Sequence, residues 1–504
     1  MKVQKSIKLA HTSSVLISMV VNGLLVLALL TFITFSQPSE RETTTVMVID
    51  PVAQEDIDEL EEEIEPEEVV DPDELDELVD FTLDTPMDTN FEQETEVVED
   101  VTNTDVSSLS ELMSDVSSPV VMTGLLVGRT PRARQAAAAK YGKGLEKFSE
   151  PAVMKALEWL RDNQHPNGSW NKDGGSRGGF NTGYTGLALL AFLAHGETPA
   201  SAEFGPTVAK AIRFLVENQD AKGVLQPSGA HTGYGHALGT YALAEAYTMT
   251  ENILLREPLQ RAVKVIINGQ MPNGGYDYDY KKEDRNDLSL ASWQLQALKA
   301  ASISGVAGPD TKKYLQSAMD GMLSGSKKTD AGRFFTYSVN GGNVRGPQKT
   351  VSAAGTLALF LSGRGRSSEA KEALEFLSQY TENETLPNWG SEKSEGHGGA
   401  IYYWYYAVQA FFQEDPDGSN FRRFMPALVK ALAQNQASDG HWLCYSEGGA
   451  KQGKTLNTAM GALGLMVYYR YLPTTQADNI QQADTQTVPG GPGGGDEEDV
   501  GFEI

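Results

Sequence analysis

The sequence predicts an all-α fold, a closed α/α toroid of six helical hairpins, carried behind one apolar N-terminal span and an acidic linker. Three observations predict the ring. A turn motif recurs, in ALEWLRDNQHPNGSW at 156–170, AIRFLVENQDAKGVL at 211–225, AVKVIINGQMPNGGY at 262–276 and ALAQNQASDGHW at 431–442. With weaker copies around 318–334 and 373–389, its glycines are Gly168, Gly223, Gly274, Gly332, Gly390 and Gly440, spaced by 55, 51, 58, 58 and 50 residues, the mark of a repeat architecture. Each turn also separates two kinds of helical segment. The first mixes Lys, Arg and Glu into an apolar stripe, as an outer helix does; the second, as in NTGYTGLALLAFLAHG or NTAMGALGLMVYYRYL, is apolar nearly all round and rich in Gly and Ala, as an inner helix is. Finally, the terminal units resemble the internal ones, whereas an open superhelical solenoid usually carries distinct polar caps. Closure is preferred.

The elements follow in order. Residues 1–11 carry Lys2, Lys5, Lys8 and His11, and residues 12–38 carry no charge. The apolar part of that run, about 23 residues, would rise roughly 34 Å as a helix, enough to span a bilayer. A cleaved secretory signal is the rival reading, but its apolar region is normally about 7 to 15 residues. The lysines orient the span with its N-terminus in the cytoplasm. The expectation is therefore a single-pass inner-membrane protein whose toroid is periplasmic or otherwise extracytoplasmic.

Residues 39–135 read as a disordered acidic linker. Between 42 and 128 there are 28 Asp and Glu and no Lys or Arg, against a whole-chain net charge of -27. Such self-repulsion without sustained apolar periodicity favours an extended chain. The toroid, 136–475, is left nearly neutral, with 37 Lys and Arg against 32 Asp and Glu between 129 and 475. That excludes a halophile-like acidic fold and a broad nucleic-acid surface. Residues 476–504 are a Gly-rich acidic tail. The single Cys444 excludes an internal disulfide and a multi-thiolate metal site. No metal and no cofactor is predicted.

Within each turn the Gly supplies a positive φ, the preceding Asn or Asp starts the turn, and the aromatic fills the gap between hairpins. Gln164, Gln219, Gln270 and Gln436 bond exposed carbonyls or the next helix's first amides. Recurrence in copy after copy argues for structural duty, because one active site does not need four copies of its residues. QHPNGSW, QMPNGGY and QASDGHW, each followed by a Gly-rich inner helix, resemble the QW repeats of squalene/hopene cyclases and protein prenyltransferase β subunits, over about 330 of the 504 residues. The resemblance implies the toroid. It does not bring the chemistry with it: the acid run of a class II cyclase has its nearest counterpart in EDRNDLS at 283–289, without a paired Asp, and Cys444 in HWLCYSE lacks the Asp two residues earlier that a prenyltransferase zinc site uses.

One region stands out from the repeats, NGGYDYDYKKEDRNDLSLASW at 273–293. It gathers Asp277, Asp279, Glu283, Asp284 and Asp287 with Arg285, Tyr276, Tyr278, Tyr280 and Trp293 at the mouth of one inner helix. Convergent carboxylates do acid/base work, bind a cation or contact a polar ligand, and tyrosines beside them suit a glycan; a solvated loop with Asp287 as a helix cap accounts for the region as well. His231 and His236 bracket another inner helix, and His397 and His441 sit in comparable loops. Tyr402 and Trp404, in YYWYYAVQAFF, are too many aromatics with their neighbours for one helix face; either some line the cavity or, more simply, they pack between the inner and outer layers. The catalytic candidates are Asp287, Asp279, Asp277, His231 and His236. The binding candidates are Tyr276, Tyr278, Trp293, Tyr402, Trp404, His397 and His441.

These readings point to a membrane-anchored binding or scaffold module for a cell-envelope component, with a protein, a glycan or a lipid as partner. The alternative is an enzyme on the same fold, either an isoprenoid cyclase or transferase, or a polysaccharide lyase or hydrolase.

Overall fold

The computed structural model of the chain describes residues 129–470, apart from 174–180, 227–231, 283–284, 307, 309, 341–346, 383–385, 388, 390–398 and 445–452. The expected span at 12–38, the linker as far as 128, the tail from 476 and Gly390 lie outside the described residues. Among the described residues no helix is long and apolar enough to cross a membrane.

After a short helix α1 (Pro131–Ala137) the helices alternate between two layers. The first pairs are α2 (Glu146–Asp162) with α3 (Asn181–Ala194), α4 (Gly205–Glu217) with α5 (Thr232–Thr250), and α6 (Arg256–Gly269) with α7 (Leu288–Ile303). They continue with α8 (Thr311–Leu323) and α9 (Lys349–Leu361), α10 (Ser368–Glu382) and α11 (Gly399–Glu414), and α12 (Ser419–Gln434) and α13 (Lys454–Leu465), before the short α14 (Val467–Arg470). The odd-numbered helices from α3 to α13 form an inner ring, each packed on the next, and α13 returns onto α3. The outer helices lie over the grooves between them, α4 against α3 and α5, and α2 against α13 and α3. The expected closure is what the chain adopts.

The two layers follow from the two compositions. In α3, Leu187, Leu189, Leu190, Phe192 and Leu193 are all buried, each stabilising the ring by about 1.5–3 kcal/mol relative to exposure. Small residues let the inner helices approach: a Cβ on Gly186 would stand 2.7 Å from the Leu238 carbonyl of α5. Serial cross-ring contacts, Ser289 to Tyr402 and Ser292 to Tyr406, pair early positions of α7 with early positions of α11. The two helices therefore run in parallel and begin at one rim, the rim that carries the turns.

The turns work as one repeated joint. Gln164 Nε2 donates to the carbonyls of Gly168 (3.0 Å) and Thr207 (2.9 Å), and Gln219 Nε2 to those of Gly223 (3.0 Å) and Pro258 (2.9 Å). Gln436 Nε2 donates to Gly440 (2.8 Å) and to Ala152 on α2 (2.8 Å), which locks the last hairpin to the first. Carbonyls, not amides, are the partners. Gly168, Gly223, Gly274, Gly332 and Gly440 all have positive φ, between 81° and 98°. Each also lies against the next outer helix, where a Cβ on Gly223 would come within 2.7 Å of the Arg261 carbonyl.

Two features depart from the sequence reading. Short antiparallel pairings accompany the helices: β1 (Asn286–Asp287) pairs with β4 (Ser338–Val339), and β2 (Ser326–Thr329) with β3 (Gly332–Phe335). The second is the fourth turn drawn out into a hairpin that keeps its glycine. The ring also begins before 136. Thr130 caps α1 by accepting from the Ala133 amide, and Arg129 is buried against Glu245 of α5, 116 residues away. A boundary set by composition misses residues whose packing partners are so distant.

Candidate functional site

At the turn rim, the β1–β4 pairing and the Asp287 amide bonded to the Tyr276 carbonyl fix the start of α7. Asp287 is the N-cap of α7. Its Oδ1 accepts from the Leu290 amide (2.9 Å) and from the Tyr234 hydroxyl (3.3 Å), and its Oδ2 from Arg285 Nη2 (2.7 Å). The side chain has no exposed surface. Burial raises the carboxyl above its ordinary value, and the Leu290 amide, Arg285 and the tyrosine hydroxyls pull it back only in part.

Arg285 lies over the Tyr278 ring, 4.2 Å from its centroid, and donates from Nη1 to Asp277 Oδ1 (3.1 Å). Its Nη2 also donates to the Tyr278 hydroxyl (2.9 Å), which shares a 2.7 Å hydrogen bond with the Tyr337 hydroxyl. Tyr234 stands beside Tyr278 with ring centroids 5.9 Å apart. Burial pushes the Tyr234 and Tyr337 hydroxyls upward, and the negative charge of Asp287 adds to it, so both stay protonated donors at neutral pH. The result is one buried acid inside a half-buried ring of phenols. Tyr280 and Lys282, with φ of 56° and 58°, and Asn340, also 58°, hold the flanking loops in the left-handed region, where non-Gly residues are uncommon and often mark functional sites.

The other candidates are dispersed. Asp277 is buried within the Arg285 pair, whereas Asp279 is exposed beside Lys281 and accepts from the Thr232 amide. Trp293 donates from Nε1 to the Tyr402 hydroxyl (2.6 Å) and stacks on Tyr405 at 5.6 Å across the ring. With Tyr406 these rings pack on one another across the inner ring. Trp404 turns away from the centre and packs on Trp389, and His441 pairs with Asp439 beside Trp159 of the outer layer.

Tyr276 and His236 occupy seats in the repeated joint. The backbone amides of Trp170 and Trp442 donate to Thr185 and Thr458, and in the same places Tyr276 donates to Asn286 and Leu225 to His236 Nδ1. His236 Nε2 lies 2.9 Å from the Ala262 carbonyl, and burial lowers the ring's pKa to about 4. It is a neutral staple between hairpins, not an exposed acid or base. His231 and His397 lie outside the described residues. Among the described residues no group of three or more His, Cys, Asp or Glu is gathered as a metal would require.

Sequence reasoning passed over Tyr234, Tyr337 and the buried Arg129–Glu245–Arg470 group. A signal existed for two of them: TGY occurs both at 182–184 and at 232–234, and Glu245 is the one charged residue in α5 apart from its histidine. Tyr337 reaches the site only through the β1–β4 pairing, which has no local signature.

A closed ring with a polar, phenol-rich rim at the start of its inner helices defines an α/α-toroid protein, the architecture also found in glycoside hydrolases. Among solved structures, the chain is similar to the GH76A α-1,6-mannanase from Salegentibacter sp. HEL1_6, with 12% identity, a TM-score of 0.50, and coverage of 65% of this chain and 99% of that one. It is equally similar to an inactive variant of that mannanase in complex with α-1,6-mannotriose, with 11% identity, a TM-score of 0.50, and coverage of 64% and 99%. No protein-family model matches the chain, and no curated protein matches it by sequence. The likeness bears on the fold alone, the helical ring that the chain forms; it does not single out the cyclase and prenyltransferase group.

Proposed function

We propose that the chain acts on a glycan at the Asp287 rim, as a hydrolase in which Asp287 is the proton donor. The observation that carries this is a carboxyl with no exposed surface, its pKa raised by burial, enclosed by Tyr234, Tyr278, Tyr337 and Tyr402. A general acid needs such a shift to hold its proton near working pH. Asp277, on the same guanidinium, is the second carboxylate that glycoside hydrolysis requires. The tyrosines, held protonated, donate to sugar hydroxyls, which speaks against a lyase that would use one of them as a base. The glycosidase-like ring supports the substrate class, and the QW-like turns, being joints, lend no weight to an isoprenoid substrate.

A second reading is binding without turnover. It draws on one observation, that both Asp287 oxygens already have partners. In either case the proposal includes attachment through the 12–38 span, with the ring outside the cytoplasm and facing envelope polysaccharide. The test is release of reducing ends from a panel of α-linked and acidic polysaccharides by the full chain and by Asp287→Asn, with affinity electrophoresis on the same polymers. Turnover lost in a folded variant that still binds supports the hydrolase. Binding without turnover in the wild type supports the second reading, and neither activity on any polymer defeats both.

A further inference from the structure

A carboxyl that gives up a proton to a leaving group needs one oxygen free, and Asp287 has none. Its Oδ1 is held by the Leu290 amide in the first turn of α7 and by the Tyr234 hydroxyl of α5, and its Oδ2 by Arg285 Nη2. Arg285 differs from the other two partners. It comes from the loop just before β1, keeps 28% of its side chain exposed, and reaches Asp287 from the rim over the Tyr278 ring. It is the partner that a molecule arriving from outside can draw away. We infer that the glycan bound at this rim carries a carboxylate, as a uronate sugar does, and that this carboxylate takes Arg285 from Asp287; the inference rests on Asp287 being the proton donor proposed above.

The exchange conserves charge. One guanidinium now faces two carboxylates, Asp277 on Nη1 and Asp287 on Nη2. A sugar carboxylate on Nη2 replaces like with like, in the planar geometry that a guanidinium prefers. Asp287 is then left buried without its cation, and an unpaired buried carboxylate is costly enough to take up a proton instead. Burial already holds its pKa above the ordinary value with Arg285 in place, and losing the cation raises it further. One carboxylate enters, one proton is taken up, and the net charge is unchanged. The proton belongs on Oδ2, because Oδ1 keeps its two donors, and Oδ2 lies on the side from which Arg285 and the sugar approach. A neutral sugar offers nothing to draw Arg285 away. The other groups around Asp287 are the phenols of Tyr234 from α5, Tyr278, Tyr337 beside β4 and Tyr402 from α11. Burial pushes all four upward, so they stay protonated through neutral pH.

Calorimetric titration of the full chain with D-glucuronate and D-galacturonate, and with their uncharged amides, reads both affinity and proton uptake when run in buffers of different ionisation enthalpy between pH 5 and 8. The wild type should bind an acid sugar with uptake approaching one proton at the neutral end, its affinity falling toward about tenfold per pH unit as pH rises there. The amides should bind at least about tenfold more weakly and without uptake. Asp287→Asn removes the competitor and keeps the cap, so it should bind the acid sugars on the order of tenfold more tightly than wild type at pH 7, with no uptake and no pH slope. Arg285→Gln should lose the preference for acid over amide. An acid sugar bound without proton uptake, an amide bound equally well, or an Asp287→Asn that binds the acid no better than wild type overturns the exchange, as does a wild type that binds neither. If reducing ends are nonetheless released from a neutral polysaccharide, the hydrolase stands without it. Uptake of a proton with no turnover of any polymer keeps the carboxylate-binding rim and defeats the hydrolase. Should Arg285→Gln fail to fold, the Asp287→Asn comparison decides.

Discussion

Arg285 holds Asp287 from a half-buried position, its Nη2 2.7 Å from the Oδ2 of a carboxylate that has no exposed surface. The pair is asymmetric: the acid lies inside, and the base reaches it from the rim over the Tyr278 face. Losing the arginine strands a buried charge, whereas losing the acid frees a cation that water can reach.

Removing the acid altogether also removes the helix cap. Asp287→Ala should cost about 2–4 kcal/mol, from the lost cap and broken buried pair, and Asp287→Asn only about 1 kcal/mol because Asn still caps. Urea unfolding of both variants measures the difference. Equal losses would mean that capping contributes nothing to the position.

The raised pKa of Asp287 has a definite sign in stability. The folded state holds this proton more tightly than the unfolded chain, so the group's stabilising share is full below pH about 4 and is lost as pH rises through the raised value. Wild type should therefore lose stability relative to Asp287→Asn between pH about 4 and neutrality. Urea midpoints of the two proteins across that range test it, and a constant gap contradicts the shift.

His236 titrates in the opposite sense. Its folded pKa of about 4 lies below the ordinary value, so the unfolded chain takes up the proton first. Stability from this group is full above pH about 6.5, falls as pH drops toward 4, and changes no further below that, about 3 kcal/mol in all. Replacement by the residue found at the equivalent seats, His236→Thr, should abolish that slope while lowering stability at neutral pH. A slope that survives the replacement belongs to another group.

Gly440 and Gly363 separate backbone conformation from close approach. Both have positive φ, 98° and 79°, but a Cβ on Gly440 would drive into the Lys155 carbonyl of α2 while one on Gly363 meets nothing within 4 Å. Gly363→Ala should cost about 1 kcal/mol. Gly440→Ala adds the displacement of a buried helix and should cost several times more, visible as a much larger drop in Tm.

The fold was legible because the joint is written into every repeat. Gln, Gly and an aromatic at fixed offsets each satisfy a local need, and the two helix compositions report the layers directly. The site was half legible. Asp277, Arg285, Tyr278 and Asp287 lie within eleven residues and stand out as a cluster, but Tyr234 and Tyr337 come from the neighbouring hairpins and meet them only in the closed ring. His236 was misjudged because its seat is filled by threonine in other repeats, so the likeness was hidden behind a change of residue type. The aromatics of α11 were too numerous for one helix face, yet nothing local says whether they surround a hole or fill it.

The hydrogen bond from Gln436 to Ala152 joins residues 284 apart in the chain, and that distance sets a timetable. Contacts of such long range form late, because the intervening chain must be ordered first. During synthesis α2 emerges early, and the surface it will offer to α13 has no partner until the sixth hairpin has been made. Hairpins can assemble in order as they appear, but the first remains uncovered throughout. A chain stopped short of residue 436 is thus not a smaller ring; it is an open arc with an apolar edge at each end, and its expected fate is aggregation or proteolysis rather than partial function.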